Sequence, residues 1–317
     1  MVLLLGATGL LGRNVLQVLL ERGIAVRALV RSALDVPGVQ VVKGSILSRE
    51  DLLKAADSCE AIINCAGTTD MTLPSVEDFL PVNRDLPAML CEVATLSGIK
   101  VLIHTSTANT VVPGTRECPS DENAPFGPPY DKSPYAISKK AGEDALLGYA
   151  SEHPELRIVI VNPGFMLGAY DSKPSSGQMV LLGWKKPILF VSRGAKSILH
   201  VRDAAGAILN ALERGEGRYL LTGECLTLKE YFRVQARVGG YRQICIALPN
   251  WMAGFLGVIG SILRFLRIKT ELYPHNVKQL LYEEWYDCAR ARRELGYTLT
   301  PVDDAIRDFV DWYYKKC

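Results

Sequence analysis

The sequence lacks both a marked excess of one charge and a leader segment. Its 317 residues include 36 Lys and Arg against 34 Asp and Glu, so the formal net charge is only +2. Because such a surface exerts no global attraction on nucleic acid or on an anionic membrane, we expect no nucleic-acid partner. No charged segment and no cleavage site accompany the apolar run Val2–Leu5. We therefore expect no secretory signal, and a cytoplasmic location.

Clustered metal ligands and paired cysteines are also missing. The eight Cys residues are scattered without a C-x-x-C pair, and the four His residues are isolated from one another. A protein metal site needs several such ligands close together, so we expect no metal. Cysteine usage of this kind is typical of reduced thiols in a cytosolic protein.

The first half of the chain does contain a regular alternation of short apolar runs with amphipathic segments. Such alternation is typical of buried parallel strands joined by helices. It predicts an α/β fold, a Rossmann-type doubly wound parallel sheet followed by a smaller, mixed C-terminal substrate lobe. The predicted strands are Val2–Leu5, Ala25–Val30, Val39–Lys43, Ala61–Asn64, Val101–His104 and Arg157–Val161, and the helices include Gly12–Arg22, Ser48–Ala56 and Leu86–Ser97.

The alternation stops after Asn162-Pro163-Gly164. A loop rich in Gly, Pro and Ser is expected over residues 164–177, and residues 165–178 together with the lobe are expected to form the substrate pocket. The predicted NADP-binding domain is 1–163, to which the chain returns around 197–222, and the predicted substrate lobe is mainly 164–196 and 223–317.

One uncharged stretch, Ile244–Leu263, reaches the threshold length of a transmembrane helix and precedes a basic flank. Pro249 interrupts it early, and what remains is shorter than a span. A packed helix of the lobe is the preferred interpretation. The alternatives are an interfacial helix that makes peripheral membrane contact through residues 250–269, and a true span.

A glycine-rich turn, Gly6-Ala7-Thr8-Gly9-Leu10-Leu11-Gly12, joins the first predicted strand to the first predicted helix. Its first glycine permits a tight turn, the second lets the backbone approach a pyrophosphate, and the third allows close helix packing. The helix then presents unpaired N–H groups to the anion. The turn predicts a bound nicotinamide dinucleotide, with a purely structural turn as the alternative.

The end of the second predicted strand bears on the choice of cofactor. A site selective for NAD places a carboxylate there for the ribose 2′-hydroxyl, whereas here Val30 is followed by Arg31. A guanidinium suits a 2′-phosphate because it donates paired, charge-assisted hydrogen bonds, and Arg13 is a second candidate for this role. NADP is therefore predicted over NAD, with two solvated arginines as the alternative.

Tyr135 and Lys139 stand four residues apart in a predicted helix, so their side chains share one face. A phenol has a pKa near ~10, and a neighbouring cation favours its ionised form. The spacing is typical of an acid/base tyrosine assisted by lysine, although it also arises by chance in helices.

Thr105-Ser106-Thr107 follows another strand at its carboxyl end, where ligands bind in parallel sheets. A hydroxyl there can hold a substrate oxygen against Tyr135. A turn that satisfies its own backbone is the alternative.

Together these residues resemble the extended short-chain dehydrogenase/reductases, the NAD(P)-dependent epimerase/dehydratase family, and within them the dihydroflavonol reductase-like branch. The resemblance runs over nearly the whole chain. The turn matches the family's G-x-x-G-x-x-G, and Tyr135 with Lys139 match its Y-x-x-x-K pair. The resemblance implies that Tyr135 is the general acid/base, that Lys139 lowers its pKa and binds the nicotinamide ribose, and that Thr107 orients the reacting oxygen.

The resemblance also implies a wider cofactor site. Asn64–Gly67 looks like the segment after the fourth strand, and Asn83 matches the N-V-x-G-T region. Ser45 stands where the family usually has Asp, which weakens recognition of the adenine amine. The expected cofactor-binding residues are Gly6, Thr8, Gly9, Leu10, Leu11, Gly12, Arg31, Ser45, Ile46, Cys65, Ala66, Gly67, Asn83, Thr105, Tyr135, Lys139, Pro163 and Gly164.

The implied function is an NADP(H)-dependent oxidoreductase that reduces a carbonyl, or oxidises the alcohol, of a small or medium organic substrate. Three alternatives stay open: a nucleotide-sugar epimerase or dehydratase that retains its cofactor, a membrane-associated steroid-type dehydrogenase, and a non-catalytic NADP-sensing protein. The family also implies a homodimer that pairs the helices near Leu86–Ser97 and Tyr135–Ala150.

Overall fold

A seven-stranded parallel sheet forms the centre of the computed structural model, which describes residues 1–249 and 279–316. Its strands are β1 (Val2–Leu5), β2 (Val26–Val30), β3 (Val39–Lys43), β4 (Ala61–Asn64), β5 (Val101–Thr105), β6 (Arg157–Pro163) and β10 (Gly217–Leu221). They lie in the order β10-β6-β5-β4-β1-β2-β3, and each neighbouring pair is parallel. The order reverses between β1 and β4, and this is the point at which open sheets of this kind bind ligands.

Helices cover both faces of this sheet. Because successive side chains of a strand point to opposite faces, each strand contributes to the packing on both. In β1, Leu4 packs into one apolar core with residues of α1 and α6, while Leu3 and Leu5 pack into a second core with residues of α2, α3 and α4. The helices are α1 (Leu10–Glu21), α2 (Arg49–Ala56), α3 (Leu86–Leu96), α4 (Pro134–Glu152) and α6 (Val201–Asn210). The predicted α/β doubly wound fold is confirmed.

Local sequence signals explain several element boundaries. Ser48 caps α2, and its hydroxyl accepts a hydrogen bond from the Asp51 amide at 3.2 Å. The helix α1 starts two residues earlier than predicted, at Leu10, directly after the second glycine of the turn. A π-helical turn over Pro81–Asp85 precedes α3, and it was not predicted.

Most of the remaining described elements form a smaller lobe with a core of its own. Side chains such as Val180, Phe232 and Phe309 are buried together there. A three-stranded sheet, in the order β11-β9-β7, and a two-stranded sheet, β12-β8, belong to this lobe. The elements of the lobe are β7 (Phe165–Leu167), α5 (Gly177–Gly183), β8 (Ile188–Val191), β9 (Ala195–His200), β11 (Glu224–Thr227), α7 (Leu228–Gly239), β12 (Ile244–Ala247) and α9 (Val302–Lys316). The helix α8 (Ala289–Leu295) instead packs against the large sheet, beside α6 and β10.

The lobe differs from the sequence expectation in two places. The segment 164–177 is not a loop throughout, because β7 lies within it and pairs with β9. The start of the predicted Ile244–Leu263 helix is a strand, β12, which pairs with β8. Residues 250–263 of that prediction, and the contact proposed for 250–269, lie outside the described residues. No helix within 1–249 and 279–316 is both long and apolar enough to cross a bilayer.

The chain returns to the large sheet through β10, while β9 belongs to the second sheet. Between these two strands, α6 packs against the large sheet beside α1. The functional division into an NADP-binding domain and a substrate lobe stays a prediction.

Candidate active site

The glycine turn between β1 and α1 has the geometry of a backbone cradle. Gly6 has a φ of +78°, a conformation that glycine adopts without strain. A Cβ at Gly12 would lie 2.0 Å from the Gly6 carbonyl oxygen, so only glycine lets α1 start this close to the turn. A Cβ at Gly9 would meet no atom closer than 3.5 Å, so this glycine instead leaves open space beside the helix end.

That open space belongs to a cavity of about 400 Å³, here called the turn cavity, at the carboxyl ends of the central strands. Residues from four chain segments, at the carboxyl ends of β1, β2, β3 and β4, meet there together with Val82. Nine of the predicted cofactor-binding residues line it: Gly6, Thr8, Gly9, Arg31, Ser45, Ile46, Cys65, Ala66 and Gly67. Prediction did not single out as cofactor contacts the other lining residues: Ala7, Leu29, Val30, Ser32, Leu47, Thr68 and Val82.

The charge of the turn cavity suits an anionic dinucleotide. Arg31 is its one charged lining residue, and among the described residues no carboxylate lines it. The carboxylate of Asp51 is engaged nearby, since it accepts a hydrogen bond from the Ser45 amide at 2.8 Å. Arg13 does not line the cavity, and its guanidinium lies 5.5 Å from the centre of the Tyr170 ring. Of the two predicted arginines, only Arg31 lines the turn cavity.

The helix α4 brings Tyr135 and Lys139 onto one face, turned towards the end of β5. Both side chains are buried, and the Lys139 ammonium donates a hydrogen bond to the Thr105 carbonyl at 3.0 Å. The Thr107 hydroxyl is close enough to Tyr135 to lower the pKa of that phenol by hydrogen bonding. The three predicted catalytic residues are therefore brought together.

Burial shifts the pKa values of these two groups in opposite directions. Loss of solvent raises the pKa of Tyr135 to about 12, and hydrogen bonding to Thr107 opposes the rise. Loss of solvent lowers the pKa of Lys139 to about 8, while the nearby Glu143 and Cys65 oppose the fall. At neutral pH the structure thus presents a protonated phenol beside a charged ammonium.

Lys139 also connects this cluster to the turn cavity. Gly67 lines that cavity, and a Cβ added to Gly67 would lie 2.9 Å from the ammonium nitrogen of Lys139. The ammonium therefore lies close to the cavity wall. Asn83 fixes the same region: its side-chain oxygen accepts from the Thr68 amide at 2.9 Å, and its side-chain nitrogen donates to Ser138 at 3.0 Å. Asn83 therefore ties the cavity wall to α4, next to Lys139.

A buried carboxylate, Glu143, supports the cluster and was not predicted. It accepts hydrogen bonds from Thr110 at 2.8 Å and from the side-chain nitrogen of Asn162 at 2.5 Å, and it lies 3.5 Å from the Arg218 guanidinium. The same Asn162 nitrogen donates to the Thr107 carbonyl at 3.1 Å. The sequence signal was the repeated spacing of four along α4, which places Glu143 one turn beyond Lys139.

Several predicted cofactor residues do not line the turn cavity. Leu10, Leu11 and Gly12 lie in the first turns of α1, where they set the position of the helix end. Pro163 pairs with Leu221 across the sheet, and the Gly164 amide donates to the Leu221 carbonyl at 3.0 Å. These last two residues join the large sheet to the lobe. Their contact with a cofactor stays a prediction.

A second cavity, of about 760 Å³ and here called the apolar cavity, lies in the lobe. Phe165, Phe190 and Phe232 form parts of its wall. In the chain, Phe165 follows Asn162 by three residues. Four of its lining residues come from the predicted pocket segment 165–178: Phe165, Pro174, Ser175 and Gln178.

The one charged side chain on the apolar cavity's described wall is Lys196. It forms an ion pair with Glu284, which also accepts a hydrogen bond from the Tyr130 hydroxyl at 2.8 Å. Glu284 is buried, so the positive charge is already neutralised inside the protein. The cavity therefore offers a large apolar surface with little net charge.

The described residues contain no group of three His, Cys, Asp or Glu side chains that could hold a metal ion. The seven cysteines among them are free thiols. Burial raises the pKa of Cys65, beside the turn cavity, to about 12. Its thiol is therefore neutral at physiological pH.

Comparison with known proteins gives one matching family and relatives along the whole chain. A family model described as the NAD dependent epimerase/dehydratase family matches residues 2–221. "Sterol demethylase protein B" of Methylococcus capsulatus is 28% identical, over 99% of this chain and 98% of the relative. A "putative dihydroflavonol 4-reductase" of Synechocystis is 26% identical, over 97% and 93%. The crystal structure of gox2253 superposes with a TM-score of 0.84 at 26% identity, over 100% and 98%.

Proposed function

Because the chain belongs to the NAD dependent epimerase/dehydratase family, we propose that it is an NADP(H)-dependent oxidoreductase that interconverts a ketone or aldehyde and the corresponding alcohol on an apolar substrate. The family membership makes it an NAD(P)-dependent enzyme of the extended short-chain dehydrogenase/reductase type. The direction of the reaction, the preference for NADP and the substrate class are the proposal.

The arrangement of Tyr135, Thr107 and Lys139 carries this proposal. The phenol is buried, the Thr107 hydroxyl interacts with it, and the Lys139 ammonium lies close to Gly67 in the wall of the turn cavity. A bound nicotinamide supplies or accepts a hydride at the substrate carbon. The protein must therefore hold the substrate oxygen and move one proton.

Tyr135 is suited to that proton transfer in the reducing direction. Because burial keeps its pKa at about 12, its hydroxyl is protonated at neutral pH and can donate to the substrate oxygen. Thr107 supplies a second hydrogen bond that orients the same oxygen. The Lys139 cation then stabilises the phenolate left behind. Hydride at carbon and a proton at oxygen together convert C=O to CH–OH, so the step balances.

Arg31 supports the preference for NADP. It lines the turn cavity at the end of β2, and its guanidinium can donate two parallel hydrogen bonds to a 2′-phosphate. The described lining has no carboxylate that would bind the 2′-hydroxyl of NAD instead.

The apolar cavity supports the substrate class. Its volume of about 760 Å³ lies within the range of about 300–1,000 Å³ that is usual for ligand pockets. A nucleotide sugar carries two phosphates and many hydroxyls, and this wall offers them one cation that is already paired with Glu284. The Methylococcus relative is named for a sterol, which is an apolar molecule. These observations favour a reductase of apolar carbonyl compounds over an epimerase of sugars.

The test is a turnover assay with the purified protein, NADPH and two classes of compound. We expect stoichiometric loss of NADPH absorbance with long-chain or polycyclic ketones, and no net loss with nucleotide sugars. Conversion of a nucleotide sugar without net change in NADPH would identify an epimerase instead. Absence of turnover with both classes, despite tight NADPH binding, would favour a sensing protein.

The same assay tests the cofactor choice through Arg31→Ala. Loss of one charge-assisted contact to the 2′-phosphate is expected to lower kcat/KM for NADPH by about ten- to hundredfold and to leave kcat/KM for NADH nearly unchanged. Arg13→Ala is the matched control, because Arg13 contacts Tyr170 rather than the cavity. Equal losses with both cofactors in Arg31→Ala would remove the argument for NADP.

A further inference from the structure

One face of the two-stranded sheet β8-β12 is apolar and open to solvent. The strands are parallel, with Ile244 opposite Ile188 and Ile246 opposite Phe190. Paired residues project to the same side of a sheet, so these four side chains form one cluster, here called the outer face. Each of the four side chains is between 43% and 64% exposed. Leu189 and Val191, which alternate with Ile188 and Phe190 along β8, are buried in the lobe core.

The charged residues in β8, β12 and their flanking segments are all of one sign. Residues 182–194 and 241–249, which contain both strands and their flanks, include Lys185, Lys186, Arg193 and Arg242 and no acidic residue. All four basic side chains are exposed. The outer face therefore combines an apolar centre with a positive border.

The outer face is continuous with the apolar cavity. Phe190 belongs to both, since it is 60% exposed and also lines the cavity. Leu182, on α5, is likewise exposed and lines the cavity. An apolar surface thus runs from solvent into the interior of the lobe.

We propose that the outer face docks on the surface of an anionic lipid bilayer, with the apolar cavity opening towards the membrane. An apolar cluster bordered by lysine and arginine is typical of interfacial binding, because the apolar side chains enter the acyl boundary while the cations meet anionic headgroups. A substrate dissolved in the bilayer would reach the cavity along Phe190 and Leu182 without crossing water.

Charge complementarity favours a bilayer over a second copy of the chain. In a symmetric dimer each patch meets its own copy, so two sets of basic residues would face each other across the interface. Like charges placed together destabilise such a contact. An anionic lipid surface instead pairs with all four cations.

Sedimentation with vesicles tests the proposal without any need for turnover, so its outcome is independent of the proposed reaction. The full-length protein is mixed with phosphatidylcholine vesicles, with and without phosphatidylglycerol. We expect binding to the anionic vesicles and markedly weaker binding to the neutral ones. Lys185→Ser with Lys186→Ser is expected to lower the anionic partition coefficient by about tenfold or more.

The apolar centre is tested by Ile188→Glu with Ile244→Glu, two residues that do not line the apolar cavity. This variant should bind anionic vesicles at least about tenfold more weakly, because it removes two side chains from the acyl boundary and adds two negative charges. Leu299→Glu is the control, since Leu299 is also a large exposed apolar residue but lies outside both strands. NADPH affinity should be unchanged in all variants, which shows that they are folded.

Three results would overturn the proposal. Wild-type protein that stays in the supernatant with anionic vesicles would show that the face is not a membrane surface. Equal binding by wild type and by the Ile188→Glu, Ile244→Glu variant would place the contact elsewhere in the chain. Conversion of a dimer to a monomer by that variant in light scattering, with vesicle binding retained, would assign the face to a second copy.

Discussion

At the scale of single residues, burial governs the chemistry of the Tyr135 site. Removal from water raises the pKa of Tyr135 to about 12 and lowers that of Lys139 to about 8. Both shifts favour the neutral form of the group, and their partners Thr107 and Glu143 oppose them. Tyr135 is therefore a proton donor, and the neighbouring Lys139 readily loses its positive charge at alkaline pH.

The lowered pKa of Lys139 leads to a prediction for the pH dependence of the enzyme. The pKa of Lys139 is lowered from its ordinary value of 10.5, so the folded protein loses this proton as the pH rises through about 8. Without the cation, the phenolate of Tyr135 is no longer stabilised and cofactor binding weakens. We therefore expect kcat/KM for NADPH to be constant below about pH 8 and to fall about tenfold per pH unit above it.

The measurement is a pH–rate profile of NADPH-dependent reduction, with Lys140→Ala as the control. Lys140 is adjacent in sequence but pairs with Asp144 on the helix surface, so its loss should leave the profile in place. A profile that stays flat up to pH 10 would contradict the assigned role of Lys139.

At the scale of secondary-structure elements, the β1–α1 turn positions the cofactor site and was predictable from sequence. The bounds predicted for β1, β3 and β4 are those of the structure. The strands β1 and β4 are short, mostly apolar runs that are buried throughout, and β3 lies between Gly38 and Gly44. The strands β7 and β12 were not predictable. Each is three or four residues long, and each exists through pairing with a strand distant in the chain.

Gly12→Ala tests the role of the turn. The added methyl group would lie 2.0 Å from the Gly6 carbonyl oxygen, so α1 has to move away from the cradle. We expect the free energy of unfolding to fall by about 1–3 kcal/mol and NADPH affinity to fall by at least tenfold. Chemical denaturation and fluorescence titration with NADPH provide the two measurements.

Gly206→Ala is the matched control in another helix on the same face of the sheet. A Cβ added at Gly206 would have no atom within 4 Å. In a helix interior, the free energy of alanine is more favourable than that of glycine by about 1 kcal/mol. This variant should be as stable as wild type or more so, with unchanged NADPH affinity. If Gly12→Ala behaved in the same way, the close approach at the turn would have no functional importance.

At the scale of the whole molecule, the described residues contain two cavities of different character. The turn cavity has a single cation, Arg31, while the apolar cavity belongs to the lobe and pairs its cation with Glu284. Sequence motifs predicted the first cavity, because its residues follow strands at fixed positions. For the second, the segment 165–178 was expected to form a pocket with the lobe, and it supplies four of the lining residues. The other lining residues, which extend along the chain as far as Leu281, follow no motif. The homodimer expected through α3 and α4 stays a prediction.

We expect Tyr135 to donate the proton in reduction of an apolar carbonyl compound by NADPH. The most direct test of this role is a single-turnover measurement in which protein loaded with NADPH is mixed with a long-chain ketone, in wild type and in Tyr135→Phe. Phenylalanine retains the ring that packs edge-on against Phe79 and removes only the hydroxyl. We predict that the rate of NADPH oxidation falls by about 10²–10⁴-fold while the dissociation constant for NADPH stays within about threefold. Equal rates in the two proteins would contradict the account.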